Sequence, residues 1–354
     1  MSLKKPTVAV ALSGGVDSSV SALILKKMGF KIFGLFMKNW EETDASGRCL
    51  AAQDLDDVAR VCSLLKIPYH TVNFAQEYQE KVFKLFLKGY ASGYTPNPDV
   101  LCNKEIKFKL FLEKALALGA DLIATGHYAR ISPSYQLLKA ADLSKDQSYF
   151  LYTLNCQVLK KVLFPIGHLE KTAVRRIALE NQLPTALKKD STGLCFIGER
   201  AFRPFLAQFI QPKKGFFVTL EGKIVGEHEG AFFYTLGQRE GLKIGGGGQA
   251  WFVAKKDMEK NLVFVVQGAD HPALFSSSLI ASDLSWVGAQ PATPLTCQAK
   301  VRYRQEDQLC ILEKIEGSKA YVSFTSPQRA VTPWQSIVFY QDGVCLGGGT
   351  IKSV

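Results

Sequence analysis

The sequence predicts an α/β protein: a parallel sheet with helices on both faces, then a small β-rich segment and a C-terminal β-barrel or sandwich. Three observations carry this. The first 200 residues alternate short apolar runs with helical periodicity. One of those runs, Val8 to Leu12, opens straight into Ser13-Gly14-Gly15-Val16-Asp17-Ser18. After Pro212 the pattern switches to short alternating runs parted by glycine turns, as in GFFVTLEGKIVGEH and NLVFVVQG.

In chain order, Val8 to Leu12 suits a central parallel strand, because it is apolar on both faces. Gly14 and Gly15 let the backbone turn sharply and approach a ligand. A helix over 17–28 follows, with Asp17 and Ser18 in its first turn. The free N–H groups of the loop and helix start then point at one spot, which is a phosphate site. No lysine follows the glycines, so this is not the P-loop of kinases and GTPases.

Lys31 to Met37 and Tyr69 to Phe74 read as strands, and Ala51 to Leu65 and Glu77 to Tyr90 as helices. A further helix runs from Lys104 to Leu118 and stops at Gly119. Asp121 to Thr125 is a strand leading into Gly126-His127-Tyr128. The glycine loop, Met37 and Gly126-His127 thus fall at carboxyl ends of parallel strands, where one pocket sees all three. Helices are expected over Gln147–Leu154, Cys156–Leu163, Lys171–Asn181 and Arg200–Ile210. We divide the chain into a catalytic domain over 1–205, a β-rich central domain over 206–275 and a C-terminal β-barrel over 276–354.

The 354 residues carry a formal charge of +11, which favours a polyanionic partner such as nucleic acid. No apolar run approaches the roughly 18 residues of a membrane span. The start, MSLKKPTVAV, has neither signal-peptide nor transit-peptide character, so a cytoplasmic location is expected. Eight cysteines show no C-x-x-C spacing and no Cys/His cluster with zinc spacing, so no metal site is expected.

Two cysteines stand in settings that carry chemistry. Cys102 follows Thr95-Pro96-Asn97-Pro98-Asp99, a loop in which two prolines end the preceding helix. The reading places Cys102 at the edge of the next helix, where orphan N–H groups lower a thiol pKa, with Lys104 and Lys107 adding charge. Asp99, three residues earlier, is near enough to exchange a proton with a substrate atom beside the sulfur. Cys195 lies in KKDSTGLCF, a turn-rich loop flanked by basic residues that suits an accessible thiolate.

Together SGGVDSS, GLFMKNW, NPDVLCNKEIKF, ATGHYAR, KDQSYFL, KDSTGLCFIGER, YTLGQREGL, RYRQ and VCLGGG resemble the tRNA-specific 2-thiouridylases nearly end to end. The glycine loop alone resembles only the wider N-type ATP pyrophosphatase (PP-loop) superfamily, with its adenine nucleotide alpha hydrolase-like fold; the two cysteine segments make the match specific. The resemblance implies that Ala11, Leu12, Ser13, Gly14, Gly15, Val16, Asp17, Ser18, Met37 and Gly126 bind ATP, with Mg2+ on its phosphates. It implies adenylation of the 2-carbonyl oxygen of the wobble uridine, position 34, followed by replacement with sulfur. Cys195 matches the persulfide carrier, charged by a donor protein, and Cys102 its catalytic partner. Whether Cys102 frees sulfide by disulfide formation or assists direct persulfide attack stays open.

By the same resemblance Asn97, Pro98 and Asp99 hold the target base, flipped out of the anticodon loop. His127, Lys145, Asp146, Gln147, Tyr303, Arg304 and Gln335 match positions that touch tRNA. Glutamate, glutamine and lysine tRNAs are the expected acceptors, and the protein is expected to act as a monomer. One departure is local: Trp334 stands where a glycine is expected in TPGQ, and a turn needing positive φ would strain it. Two other classes share the loop, an amide-forming ligase and an inactive tRNA-binding relative, and neither has a use for the cysteine pair.

Overall fold

Five strands line up in parallel. In the computed structural model, which describes residues 5–40, 50–190 and 201–354, these open with β1 (Thr7–Leu12), α1 (Val16–Lys27), β2 (Lys31–Lys38), α2 (Leu50–Leu65) and β3 (Tyr69–Asn73). Two long helices follow, α3 over 75–91 and α4 over 98–117, each with a π-helical stretch in its middle. Then come β4 (Leu122–Ala124), a small hairpin of β5 (Arg130–Ile131) and β6 (Leu137–Leu138), β7 (Val162–Leu163), α5 (Lys171–Glu180) and α6 (Phe202–Ala207).

The parallel sheet has the order β3-β2-β1-β4-β7. Val8, Val10 and Leu12 bury against one set of helices and Ala9 against the other, so β1 is covered on both faces. The order reverses between β1 and β4, and a crevice opens there beyond their carboxyl ends.

Three expectations need correction. The helix expected from Lys104 begins at Pro98. Asn97 caps it by accepting from the Val100 N–H, and proline suits the first helical position. Gln147–Leu154 forms a single 3₁₀ turn at Ser148–Phe150, with the Asp146 carboxylate accepting the Ser148 N–H at its start. Cys156–Leu163 is one helical turn, capped by Asn155, followed by strand β7.

The central segment contributes β8 (Gly215–Val218), β9 (Ile224–His228), β10 (Trp251–Asp257) and β11 (Leu262–Gln267), in the order β10-β11-β8-β9. The last segment supplies β12 (Phe275–Trp286), β13 (Leu295–Lys300), β14 (Gln308–Glu316), β15 (Lys319–Arg329), β16 (Ser336–Gln341) and β17 (Val344–Ser353). Pairing of β12 with β17 closes these six into a barrel.

The barrel is tied to the catalytic segment by main chain as well as by packing. β6 pairs with β17 through Leu137↔Cys345 and Leu138↔Val344. One apolar cluster joins Phe33 and Phe86 of the catalytic segment to Phe205, Phe217 and, in the barrel, Tyr340. Among the described residues no helix is long and apolar enough to cross a membrane.

Candidate active site

The glycine loop occupies the crevice between β1 and β4. Gly14 has φ 75°, and a Cβ there would sit 2.7 Å from the Asp54 carbonyl oxygen, so the position admits only glycine. The Ser13 N–H donates to Ser18 Oγ at 3.2 Å, and Ser18 Oγ donates to the Gly15 carbonyl at 3.1 Å. Gly126, beyond β4, is pressed against the first turn of α1: a Cβ would lie 2.8 Å from the Ser18 nitrogen. These two glycines bring both strand ends onto one helix start, which is where an anion binds.

Asp17 faces this crevice and accepts three hydrogen bonds from two partners. Lys171 donates to its two oxygens at 2.7 and 2.8 Å, and the Tyr128 hydroxyl donates at 2.8 Å. Burial, and then the Asp17 charge, push the Tyr128 phenol well above its ordinary pKa. Tyr128 is itself fixed by Gln147, whose side-chain oxygen accepts the Tyr128 N–H at 2.9 Å. Lys171 also pairs with Asp190 at 2.9 Å, and Asp190 accepts from Arg175 at 2.6 Å and Lys145 at 3.3 Å. Partial burial opposes ionisation of Asp190, but the hydrogen bond and charge of Lys171, with Lys145 and Arg175, hold its carboxyl below the usual range. Lys188 bridges Asp54 and Asp57 at 2.7 and 2.6 Å.

Lys171, Tyr128, Arg175 and Asp190 were not singled out from the sequence. Lys171 is the first residue of α5, the helix after β7. With β7 read as helix, the sheet had one carboxyl end too few, and the lysine behind it went unmarked.

The second half of the site is the start of α4. Cys102 is the fifth residue of that helix, and its N–H is bonded to the Pro98 and Asp99 carbonyls. The orphan N–H groups expected beside the thiol therefore lie a turn away, around Asp99. Asp99 and Cys102, three apart, share one helix face. Cys102 is buried. Asp99 is exposed at the surface, yet desolvation by its surroundings raises its pKa, with Lys107 opposing.

His127 is buried, with Nδ1 2.7 Å from the Thr125 hydroxyl and Phe108 and Phe164 against its ring. Burial, aided by Lys107, depresses its pKa far below the ordinary value, so the ring is neutral. Lys107 thus acts on both Asp99 and His127, linking α4 to the end of β4.

The remaining expected residues fall around this centre in different ways. Met37 is the penultimate residue of β2, half-buried against the core. Asp146 is buried and accepts from Ala140, Ser148 N–H and the Ser148 hydroxyl. Tyr303 donates to the Lys145 carbonyl at 3.3 Å and packs on Phe150, bringing the barrel to the Lys145–Gln147 turn. Arg304 is exposed. Gln335 donates to the Thr95 carbonyl at 2.5 Å, just before Asn97. Cys195 lies outside the described residues; Asp190 is the nearest described residue before it.

Family models match three successive stretches of the chain: a tRNA methyl transferase HUP domain over residues 6–199, a tRNA methyl transferase PRC-barrel domain over 203–267 and an aminomethyltransferase β-barrel domain over 276–351. The tRNA-specific 2-thiouridylase MnmA of Protochlamydia amoebophila is 60% identical over 98% of this chain and 93% of its own. That of Nitrosomonas eutropha is 55% identical over 99% of both chains. The chain belongs to the tRNA-specific 2-thiouridylase family. The full-length relatives decide between the two names because they cover all three stretches together. Among solved structures, the U34-tRNA thiolase NcsA of Methanococcus maripaludis matches 58% of this chain and 65% of its own, at 18% identity and a TM-score of 0.37. In this 2-thiouridylase the HUP stretch carries the crevice and α4, while the barrel supplies Tyr303 and Gln335 at its rim.

Proposed function

We propose that this chain uses ATP to adenylate the 2-carbonyl oxygen of the wobble uridine of tRNA and then replaces that oxygen with sulfur, releasing AMP and pyrophosphate. One observation carries the reading: a glycine-loop helix start at the switch point lies in the same segment as a helix face bearing Asp99 and Cys102.

ATP would place its phosphates on the loop from Ser13 to Ser18, beside the Lys171 charge on Asp17. That lysine is held by Asp17 and Asp190 and is free to transfer one of its bonds to a phosphate. The uridine oxygen attacks the α-phosphate, pyrophosphate leaves, and the ring carbon gains AMP as a leaving group. Lys171 and the loop N–H groups stabilise the charge on the departing phosphates. Mg2+ fits as a companion of the nucleotide: Asp17 offers one carboxylate there, and the phosphates and water would supply the other ligands. It would neutralise phosphate charge.

Asp99, with its raised pKa, is suited to move the proton of the uridine ring. Sulfur then arrives as a persulfide on Cys195, charged by a donor protein. Its outer sulfur becomes the thiocarbonyl, AMP departs with the original oxygen, and Cys102 and Cys195 are left joined as a disulfide. The two electrons that reduce the sulfane sulfur come from that thiol pair, and two cellular thiols, themselves oxidised to a disulfide, reset it. Glutamate, glutamine and lysine tRNAs are the proposed acceptors.

The test is transfer of labelled sulfur to unmodified glutamate tRNA with ATP and magnesium, in the wild type, Cys102→Ser and Cys195→Ser. Sulfur at the wobble position with AMP release, lost in both variants, supports the reading. AMP formation without sulfur entry in all three proteins overturns it and leaves an amide-forming ligase.

A further inference from the structure

The loop leading into α4 is gripped by both other domains. Met258, from the turn between β10 and β11, fills the space above Gly93. The Thr95 hydroxyl shares a 3.0 Å hydrogen bond with that of Thr235, and the Thr95 carbonyl accepts from Gln335. Between these contacts the three domains leave a cleft of about 270 Å³, lined among others by Tyr94, Thr95, Leu236, Lys256, Met258 and Thr332.

Lys256 is the unusual member. Its Nζ donates to the Tyr234 carbonyl at 2.6 Å, which uses one of three N–H donors. Lys139, Lys171 and Lys188 each meet at least one carboxylate. Lys256 meets none among the described residues, and burial pushes its pKa down to about 8 with no charged group acting on it. A desolvated ammonium without a counter-charge is costly, and an anion entering the cleft removes that cost.

We propose that this cleft is a subsite for a phosphate of the tRNA chain beside the target uridine, with Lys256 as its cationic partner and Tyr94 as the wall beside the attached nucleotide. The position follows from the chain. Thr95 lines the cleft, and Asn97 is two residues on, at most about 7 Å of backbone. A base held at Asn97–Asp99 therefore carries its neighbouring phosphate to the cleft mouth. Exposed Lys255 on the same rim adds a second positive charge. The inference rests on the proposal that Asn97–Asp99 receive the uridine.

The test measures binding of an anticodon stem-loop between about 50 and 200 mM salt. Lys256→Met should flatten the slope of log K against log salt by about 0.7 to 0.9, the share of one phosphate, and Lys256→Arg should restore it. A stem-loop with one neutral methylphosphonate flanking the wobble uridine should bind the wild type about 5-fold more weakly, as for one lost charged contact, yet bind Lys256→Met no more weakly than the unmodified RNA does. Equal slopes, or an equal methylphosphonate penalty in both proteins, overturn the subsite. ATP affinity measured alongside separates misfolding from loss of the contact. Unimpaired sulfur transfer by Asp99→Asn overturns the base assignment and this subsite's position with it. Loss of transfer there, with an unchanged slope in Lys256→Met, overturns the subsite alone.

Discussion

The indole of Trp334 lies flat on the ring of Tyr94, with centroids 5.0 Å apart and planes within 5°. Trp334 has φ 71°, the left-handed conformation that favours glycine. The neighbouring Gln335 holds the Thr95 carbonyl, so two adjacent barrel residues fix two adjacent residues of the loop before Asn97. Backbone strain of about 1–2 kcal/mol is offset by a stack of about 0.5–1.5 kcal/mol. Trp334→Gly relieves one and forfeits the other, so stability should change by less than about 1 kcal/mol. The rate with tRNA should fall about 10-fold, because the loop loses its register. Trp334→Phe should recover most of it, and Tyr94→Ala should add little to Trp334→Gly. Steady-state kinetics at saturating ATP decide; additive losses would mean that the two rings act separately.

Lys171 should matter to the ATP half-reaction more than to RNA binding. It links Asp17 to Asp190 across the crevice. Lys171→Met should lower pyrophosphate release at least about 100-fold, as for loss of one preorganised charge on the leaving group. Tyr128→Phe removes one hydrogen bond to Asp17 and should cost about 10-fold. Anticodon stem-loop binding should stay within about 3-fold of wild type in both. Pyrophosphate release at the wild-type rate in Lys171→Met would remove the lysine from the chemistry.

Much of this site was legible because its signals are local. The apolar run of β1, the glycines after it and the spacing of Asp99 and Cys102 all sit within short stretches of chain. Pro98 misled because it was read as a helix breaker, although its missing N–H is harmless at a first helical position. β7 has two residues and shows no periodicity, which concealed both the fifth strand and Lys171 behind it. The pairing of β6 with β17 joins residues some 200 positions apart through two-residue contacts, and no local pattern encodes that. Trp334 is the opposite case: its expected positive φ is what the backbone adopts.

The buried His127 predicts a specific acid sensitivity. Burial, and then Lys107, lower its folded pKa well below 6.5. As pH falls through about 6.5 the unfolded chain gains a proton that the folded chain does not, so stability declines towards acid. One such group contributes a slope of up to about 1.4 kcal/mol per pH unit. Urea unfolding at several values from pH 7.5 to about 5 should show it. His127→Gln should flatten the profile in part, since His228, lowered by burial and by Arg203, titrates in the same sense. An unchanged slope in His127→Gln would show that the ring is solvated in solution.

At Gly126 the geometry makes a sharp demand. A Cβ there would lie 2.8 Å from the Ser18 nitrogen and 2.9 Å from the Asp17 carbonyl carbon. Both are backbone atoms at the start of α1, so no side chain can swing aside. Gly126→Ala must push the helix start away from β4 and so displace the glycine loop at that start. Overpacking of this kind costs about 1–3 kcal/mol, which a protein of this size tolerates. The phosphate site depends on position more than on stability, so ATP affinity should fall more than about 10-fold while stem-loop binding holds. Gly245→Ala is the matched control, since an added Cβ there meets nothing within 4 Å. Calorimetric titration with ATP distinguishes the cases, and wild-type affinity in Gly126→Ala would place the nucleotide away from this crevice.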